Sequence, residues 1–258
     1  MTAKERRWDL FVWDWDGTIM DTTGLIALGL QQAVEKLGLT PVTFEKAKST
    51  IGLGFFETMQ VICPELPEKD WGRFQQAYKD WYLVREADVL LFPHLSELLT
   101  GMHENGLRMA VATGKSRAGL DRVFKKTGIG SLFEATRTAD ECASKPAPDM
   151  LEELSIETGV PCERMVMIGD TGFDLLMAKK AHCDAVGVTY GAGSRKDLMQ
   201  VPSLGLADNV DELAKILGVD DILTEKLLKK DSSGICVGSS SPDFGQREPV
   251  NKYGESPR

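Results

Sequence analysis

The chain has 258 residues, of which 42% are hydrophobic and 27% are charged, and its formal net charge is −9 at pH 7. This length and composition allow a sizeable core together with a second small domain or an insertion. Binding to nucleic acid requires a basic surface, and the sequence contains no dense run of Lys and Arg. No nucleic-acid partner is therefore expected.

The sequence predicts a cytoplasmic protein with no membrane partner. No apolar stretch is long enough to cross a bilayer, and the run from Leu10 to Trp13 is too short for a signal peptide. Five cysteines are scattered without a CxxC pair or the spacing of a zinc site, which is typical of reduced thiols. We expect a monomer or a homodimer.

The first predicted element is a short buried strand over residues 9–13, which ends at Asp14-Trp15-Asp16-Gly17-Thr18. Residues two apart on an extended chain face the same way, so the carboxylates of Asp14 and Asp16 can point into one site. Gly17 permits the sharp turn that ends the strand. A solvated acidic turn is the plain alternative, but the position directly after a buried strand favours a functional site.

A helical segment follows, from residue 20 to residue 89. Four aromatic residues, Trp71, Phe74, Tyr78 and Trp81, recur at spacings of three and four and form one apolar stripe. This stripe either packs the core of the segment, which is the favoured interpretation, or holds a substrate. The glycine-rich loop 51–54 either touches the substrate or only links two helices. The predicted helices of this segment cover residues 22–37, 43–50, 55–62 and 68–86.

From residue 90 onward, apolar runs alternate with amphipathic helices. This alternation predicts an α/β fold with a Rossmann-like parallel sheet and helices on both faces. Residues 1–19 and 90–230 would form this core, residues 20–89 a small inserted α-helical cap, and the polar residues 231–258 a disordered tail. Ligands bind such sheets at the carboxyl ends of the strands. The further predicted strands are 108–112, 165–168 and 185–188, and the further predicted helices are 116–126, 148–158, 171–181 and 211–229.

Two candidate phosphate-binding positions lie at this edge of the predicted sheet. Thr113 and Gly114 end the second strand, where a hydroxyl and an accessible backbone suit an anion. Lys145 precedes Pro146, which favours an extended backbone at the lysine and so aims its side chain instead of winding it into a helix. Each signal alone is weak, because such junctions are commonly structural and a lone lysine is usually solvated.

Two more carboxylates follow the next predicted strand. Asp170 ends that strand, and Asp174 lies four residues later, on the same side of a helix. Helix capping would explain Asp170 but not Asp174. Together with Asp14 and Asp16 they form a cluster of four carboxylates, which would repel one another without a cation. Magnesium prefers such oxygen ligands, so the sequence predicts a Mg²⁺ site.

In this order and spacing, the segments DWDGT, Thr113-Gly114, Lys145-Pro146 and GDTGFD resemble the four motifs of the haloacid dehalogenase superfamily. The helical segment after the first motif is similar to the small cap of its phosphoglycolate-phosphatase-like branch. The resemblance covers about residues 8–217 and does not include the predicted tail. One position differs, because those phosphatases commonly carry Asn or a similar residue where this chain has Gly114.

The resemblance implies a Mg²⁺-dependent phosphatase that acts on a small phosphorylated metabolite, with phosphoglycolate as the first candidate. Asp14 would attack phosphorus and form an aspartyl-phosphate, and Asp16 would act as general acid and base. An acid at position 16 also argues against carbon–halogen hydrolysis, which needs no proton donor there. Thr113, Gly114 and Lys145 would bind phosphoryl oxygens. The implied metal ligands are Asp14, the backbone carbonyl of Asp16, Asp170 and Asp174.

Two other functions are kept as alternatives. A phosphoglucomutase-like isomerase of the same fold would need a side chain of the cap that steers a sugar hydroxyl. A non-catalytic binding protein on the same scaffold is disfavoured, because all four motifs are intact. Lys115 and Arg117 either bind a substrate carboxylate or are solvated residues at the start of a helix. The three histidines are scattered and expected at surfaces or helix ends: His94, His103 and His182.

Overall fold

The computed structural model describes residues 7–233, which form one six-stranded sheet and eleven α-helices. The strands are β1 (Leu10–Trp13), β2 (Arg108–Thr113), β3 (Ala135–Thr138), β4 (Met165–Gly169), β5 (Asp184–Val188) and β6 (Leu206–Ala207). The helices are α1 (Thr23–Lys36), α2 (Phe44–Lys48), α3 (Phe55–Ile62), α4 (Trp71–Glu86), α5 (Leu95–Glu104), α6 (Arg117–Thr127), α7 (Asp149–Thr158), α8 (Gly172–Lys180), α9 (Arg195–Leu198), α10 (Val210–Leu217) and α11 (Asp220–Ser233).

The sheet is parallel throughout, in the order β3-β2-β1-β4-β5-β6. This order confirms the predicted Rossmann-like core, and it puts the catalytic candidate strand β1 in the middle. The sequence missed β3 and β6 because neither is a long apolar run. The strand β3 carries Thr136 and Arg137 at one sheet edge, and β6 at the other edge has two residues.

Helices cover both faces of the sheet, so alternate residues of β1 pack into two different hydrophobic clusters. Phe11 and Trp13 face one hydrophobic cluster, to which α5, α6, α10 and α11 contribute. Leu10 and Val12 face the other cluster, to which α7, α8 and α9 contribute. Because every position of β1 is buried, the strand reads as a continuous apolar run instead of an alternating one.

The helices α1 to α4 form an insertion between β1 and β2 and have a hydrophobic cluster of their own. Phe74 is fully buried in that cluster, so the favoured core interpretation holds for this member of the aromatic stripe. The two chain segments that join the insertion to the sheet pair with each other. Met20 and Leu91 form an antiparallel bridge, and the Asp21 N–H donates to the Leu90 carbonyl at 3.1 Å.

Four features differ from the predicted helices. The helix expected over residues 211–229 is two helices, α10 and α11, because the chain turns at Gly218 with φ +67°. The helices α5 and α9 were not predicted. The segment expected as a helix over 68–86 begins with a 3₁₀ turn, Glu68–Asp70. Helix α11 ends at Ser233, so residues 231–233 of the predicted tail are helical and the rest of it lies outside the described residues.

In the part of the chain that the structure describes, no helix combines the length and hydropathy that a bilayer span requires.

Candidate active site

Asp14 and Asp170 follow two neighbouring strands, β1 and β4, on either side of the point where the strand order changes direction. The Asp14 N–H donates to the Ile168 carbonyl at 2.9 Å, which aligns the two strand ends. Ligands bind at this point in open parallel sheets. Carboxylate oxygens of Asp14, Asp170 and Asp174 lie within 4.8 Å of one another, and all three residues are buried. The structure thus brings these three acidic residues into one cluster.

Asp170 is held by groups from two other loops. Its Oδ2 accepts the Ala192 N–H at 2.6 Å, and its Oδ1 accepts the Thr18 hydroxyl at 3.2 Å. Gly17 passes so close that a Cβ there would lie 2.2 Å from Asp170 Oδ2, and its φ is +89°. Glycine at this position is therefore needed both for the turn after β1 and for the approach of Asp170.

Asp174 caps its own helix, in contrast to the prediction. Its Oδ2 accepts both the N–H of Thr171 at 3.0 Å and the hydroxyl of Thr171 at 2.7 Å, at the start of α8. The capping role that the sequence suggested for Asp170 therefore belongs to Asp174. This contact fixes the carboxylate so that its other oxygen, Oδ1, accepts a hydrogen bond from the Lys145 ammonium.

Lys145 supplies the positive charge of the cluster. Its Nζ lies 2.6 Å from Asp14 Oδ1 and 2.6 Å from Asp174 Oδ1, and its side chain is fully buried. Burial alone would lower the pKa of Lys145, but the two carboxylates raise it above its ordinary value, so the ammonium stays charged. Burial, opposed by Lys145 and reinforced by Asp174, raises the pKa of Asp14 to about 7. Lys145 is thus a buried partner of the cluster and not a solvated charge.

The cluster has the donors that a divalent cation needs. Three buried carboxylates face one buried ammonium, and burial together with the charges of Asp14 and Asp174 raises the pKa of Asp170 well above its ordinary value. Asp14 Oδ2 is buried and has no hydrogen-bond partner among the described residues. A buried carboxylate oxygen without a partner is costly, and a hard cation would satisfy it. The residues therefore fit a divalent metal.

The side chain of Asp16 lies outside this cluster and contacts Lys115. The Lys115 Nζ lies 2.8 Å from Asp16 Oδ1, and the Thr22 hydroxyl donates to the same oxygen at 2.6 Å. Burial opposes the charge of Lys115, but Asp16 outweighs it, so the pKa of Lys115 is raised. The interpretation of Lys115 as a solvated residue at a helix start was wrong. Its side chain is only 9% exposed, and it contacts the predicted general acid and base.

Thr113 and Gly114 meet the loop 51–54 at the end of β2. Thr113 is fully buried, and its Oγ1 accepts the Lys115 N–H at 3.2 Å. A Cβ at position 114 would lie 2.9 Å from the Gly52 carbonyl oxygen and 3.0 Å from that of Leu53. Both neighbours are backbone atoms, so a side chain would displace the loop. This contact accounts for glycine where the similar phosphatases commonly carry a larger residue.

The same loop contacts two further parts of the site. A Cβ at Gly54 would lie 2.1 Å from the hydroxyl oxygen of Ser144, the residue before Lys145. Gly52 lies close to Thr171, where a Cβ would be 3.2 Å from the hydroxyl oxygen. The loop is therefore more than a link between helices, because it contacts the loops that follow β2 and β4 and the segment that carries Lys145.

A cavity of about 420 Å³ lies between the insertion and the sheet edge. Asp14, Asp16, Thr113 and Lys115 line it on the side of the sheet. Helices α1, α3 and α4 and the loop 51–54 line it on the other side, together with the start of α6. We call this cavity the chamber. It connects the acidic cluster with the space that the insertion encloses.

Other residues singled out in the sequence lie away from the chamber or at its wall. Arg117 pairs with Glu141, its Nη2 lying 2.7 Å from Glu141 Oε2, and it does not line the chamber. The three histidines are exposed and belong to none of the contacts described above. His94 directly precedes α5, His103 lies in its last turn and His182 follows α8, which agrees with the expectation of surfaces and helix ends.

Sequence reasoning missed the hydroxyl groups that hold the carboxylates. Thr18, Thr22 and Thr171 each donate to one of the predicted site carboxylates, and all three are buried. Their positions could have indicated this role, since each of these threonines lies within six residues of a motif aspartate. The environment of Lys115 was predicted wrongly because a sequence shows charge and spacing but not the degree of burial of a side chain.

Comparisons with known proteins agree with this geometry. The family model for haloacid dehalogenase-like hydrolases matches residues 11–188. A phosphoglycolate phosphatase of Vibrio parahaemolyticus is 27% identical over 219 residues, which cover 81% of this chain and 96% of that protein. The structure of a predicted phosphoglycolate phosphatase from Haemophilus somnus has a TM-score of 0.74 at 23% identity, covering 83% of this chain and 99% of that chain.

The fold is also that of a β-phosphoglucomutase from Clostridium difficile, with a TM-score of 0.71 at 19% identity, over 86% of this chain and 99% of that chain. Likeness at this level of identity concerns the fold alone. The family model spans more than half of the chain and includes the strands that carry Asp14, Thr113 and Asp170. The chain therefore belongs to the haloacid dehalogenase-like hydrolases and is a phosphatase-type enzyme of the branch that resembles phosphoglycolate phosphatases.

Proposed function

We propose that this enzyme hydrolyses a small phosphate monoester through an aspartyl-phosphate on Asp14, with Mg²⁺ as its metal. The observation that carries the proposal is the surroundings of Asp14. Its carboxylate lies in a buried cluster with Asp170, Asp174 and Lys145, and it also lines the chamber that contains Asp16. A nucleophile, a candidate proton donor and a cation are thus within reach of one substrate.

The reaction has two steps. An oxygen of Asp14 forms a bond to phosphorus while the ester P–O bond breaks, and the leaving oxygen keeps the electron pair and takes a proton from Asp16. A water then attacks phosphorus, gives its proton to Asp16, and the bond between Asp14 and phosphorus breaks. The net reaction is a phosphate monoester plus water giving an alcohol plus phosphate. Lys115 and Thr22 orient Asp16 for both proton transfers.

Asp14, Asp170 and the backbone carbonyl of Asp16 would hold Mg²⁺, with support from Asp174. When bound, the metal would neutralise negative charge on phosphoryl oxygens and between the carboxylates. Lys145 and Thr113 bind and orient the transferring phosphoryl group, and the Gly114 backbone allows its close approach. The insertion, residues 20–89 in our division of the chain, acts as a cap that excludes bulk water.

Phosphoglycolate is the first metabolite to assay, because several relatives carry that name. The isomerase alternative rests on fold alone, so hydrolysis stays the proposal. The two are separated by incubation with glucose 1-phosphate. An isomerase would produce glucose 6-phosphate without free phosphate, whereas a hydrolase releases phosphate.

The direct test is phosphate release from p-nitrophenyl phosphate with and without Mg²⁺. We expect activity that needs the metal and falls at least about a thousandfold in Asp14→Asn, because the nucleophile is lost. Asp121→Asn is the matched control, since Asp121 is an exposed carboxylate on α6. Full activity in Asp14→Asn would overturn the assignment of the nucleophile. Absence of phosphate release by the natural enzyme from every phosphate monoester tested would instead favour the binding-protein alternative.

A further inference from the structure

The chamber is walled by apolar and aromatic side chains on the side away from the acidic cluster. Leu30 belongs to α1 and Phe55 to α3, while α4 contributes Phe74, Tyr78 and Leu83. Phe55 and Leu83 are also exposed, so the apolar wall continues to the protein surface. Carbon surface that reaches from a nucleophile to solvent is typical of a site for an apolar ligand group.

Two of the three cations that line the chamber are already paired, whereas the third, Lys79, is exposed on α4. Lys115 is 2.8 Å from Asp16 Oδ1. Arg122 makes a two-pronged contact with Glu86, with nitrogen–oxygen distances of 2.5 and 3.1 Å. A carboxylate on the leaving group that used Lys115 or Arg122 would have to compete with Asp16 or Glu86. Its desolvation would then be poorly compensated.

Aromatic residues of α3 and α4 line the chamber, where the partly exposed side chains of Phe55 and Tyr78 provide the surface on which a ring can pack. Tyr78 and Tyr82 are stacked, with ring centroids 5.2 Å apart and an interplanar angle of 19°, and both line the chamber. Phe74 and Phe55 line the same cavity. A cavity of about 420 Å³ is within the usual range for small-molecule sites and is large for a two-carbon acid. Rings gain from such packing in addition to the area that they bury.

We propose that the natural substrate is a phosphate monoester of an alcohol with an apolar, aromatic-sized body, which the chamber binds while its phosphate lies at Asp14. This inference rests on the proposed function and specifies the leaving group as an apolar alcohol. The ester P–O bond breaks as described above, and the alcohol leaves with the proton from Asp16. Phosphoglycolate, whose leaving group carries a carboxylate, is then the poorer substrate.

The test compares kcat/KM for 2-phenylethyl phosphate, ethyl phosphate and phosphoglycolate in the presence of Mg²⁺. The first two esters have similar alkyl oxygens as leaving groups, so a difference between them reports binding of the ring. Burial of a phenyl group predicts a preference of about tenfold to a hundredfold for 2-phenylethyl phosphate over ethyl phosphate. Leu83→Glu would reduce this preference, because it puts a charge on the chamber wall.

Val84→Glu is the matched control, because Val84 is the next residue of α4, is exposed and does not line the chamber. It should leave the preference unchanged. A kcat/KM for phosphoglycolate equal to or above that for 2-phenylethyl phosphate would overturn the inference while leaving the phosphatase proposal intact. So would an equal loss of preference in both variants.

A binding measurement decides the inference independently of turnover. Calorimetric titration of the natural enzyme with 2-phenylethanol should show binding that Leu83→Glu weakens and Val84→Glu does not. If p-nitrophenyl phosphate and all three esters resist hydrolysis, the proposed function fails. Binding of 2-phenylethanol would then still support the apolar chamber, and its absence would overturn the inference as well.

Discussion

Lys145 is the residue on which the acidic cluster depends. Three buried carboxylates would otherwise face one another without a counter-charge, and two of them contact the Lys145 ammonium at 2.6 Å. The attraction between buried opposite charges is strong, but so is the cost of removing them from water. The stability of the cluster therefore depends on the balance between charge attraction and desolvation, and one substitution can change that balance.

Replacing Lys145 with Met should destabilise the protein by about 3–5 kcal/mol at pH 7 in the absence of metal, because Asp14 and Asp174 lose their buried partner. Urea unfolding measures this change. Lys36→Met is the control, since Lys36 pairs with Asp80 on the surface at 3.1 Å and should contribute less than about 1 kcal/mol. Equal losses in the two variants would contradict the central role of Lys145.

At this scale, the sequence predicted which residues lie together better than it predicted their individual contacts. Asp14, Asp170, Asp174 and Lys145 were singled out from their positions after predicted strands, and the structure brings them together. The pairing of Asp16 with Lys115 was not predicted. It depends on how far the β2 end lies from the β1 end, and on burial, neither of which a local pattern reports.

At the scale of elements, the insertion meets the sheet edge at two points, and each can be tested separately. One is the loop 51–54 against Gly114, and the other is the end of α4 against α6. Both contacts join segments that are distant in sequence. Their effects should therefore differ, because the first is a backbone contact next to Thr113 and the second is an ion pair between the buried Glu86 and the partly exposed Arg122.

Gly114→Asn should lower kcat/KM by about tenfold or more, because the new Cβ displaces the backbone of Gly52 and Leu53 from the chamber. Steady-state kinetics with p-nitrophenyl phosphate measures it. Gly72→Asn is the matched control, since a Cβ there meets nothing within 4 Å. Unchanged kinetics in Gly114→Asn would show that the loop position does not matter for turnover.

The Glu86–Arg122 pair predicts a dependence of stability on pH. Burial opposes the charge of Glu86, but Arg122 and Lys115 outweigh it, so the pKa of Glu86 is below its ordinary value. A carboxylate with a lowered pKa stabilises the fold above its unfolded pKa of about 4.3, and this contribution is lost as pH falls through the lower folded pKa. The pair should thus stabilise the enzyme fully at pH 7.

Arg122→Met should cost about 2–3 kcal/mol at pH 7, a value reduced because Arg122 is partly exposed while Glu86 is buried. The loss should shrink near pH 5, since an unpaired buried carboxylate takes up a proton. Urea unfolding at both pH values measures this. Arg195→Met, which removes an exposed pair with Asp208, should cost less than about 1 kcal/mol at either pH. A loss in Arg122→Met that is the same at both pH values would contradict the argument.

The elements that the sequence predicted are those whose pattern is local. Apolar runs revealed β1, β2, β4 and β5, and their positions agree within one residue at most ends. The strand β3 was missed because Thr136 and Arg137 break its apolar pattern at the sheet edge. The break between α10 and α11 was missed because only Gly218 and Val219 separate the two helices, so one continuous helix was expected.

At the scale of the whole molecule, metal binding should be visible in global stability. A ligand that binds only the folded state at a hundred times its dissociation constant adds about 2.7 kcal/mol, or about 5–10 °C in Tm for a chain of this size. We expect Mg²⁺ to raise Tm in this way and Asp170→Asn to abolish the shift. Asp211→Asn is the control, since Asp211 is exposed. No shift with Mg²⁺ in the natural enzyme would contradict the proposed metal site.

The overall architecture could be predicted because strands and helices alternate regularly, and four motifs then defined one edge of the sheet. The chamber could not be predicted, because α1, α3, α4, α6 and the loop 51–54 form it together. The aromatic stripe illustrates the difficulty, since Phe74 and Tyr78 both pack the insertion and line the chamber. The cytoplasmic location and the state of monomer or homodimer stay predictions.

The paired segments at Met20 and Leu91 have an evolutionary consequence. Because the chain leaves and re-enters the sheet side by side, the whole block of helices can be lengthened, trimmed or exchanged without altering the register of β1 against its neighbours. The acidic cluster and most of the apolar wall of the chamber thus lie in separate stretches of the chain. Related enzymes can thus diverge in the inserted helices while they keep the same acidic cluster.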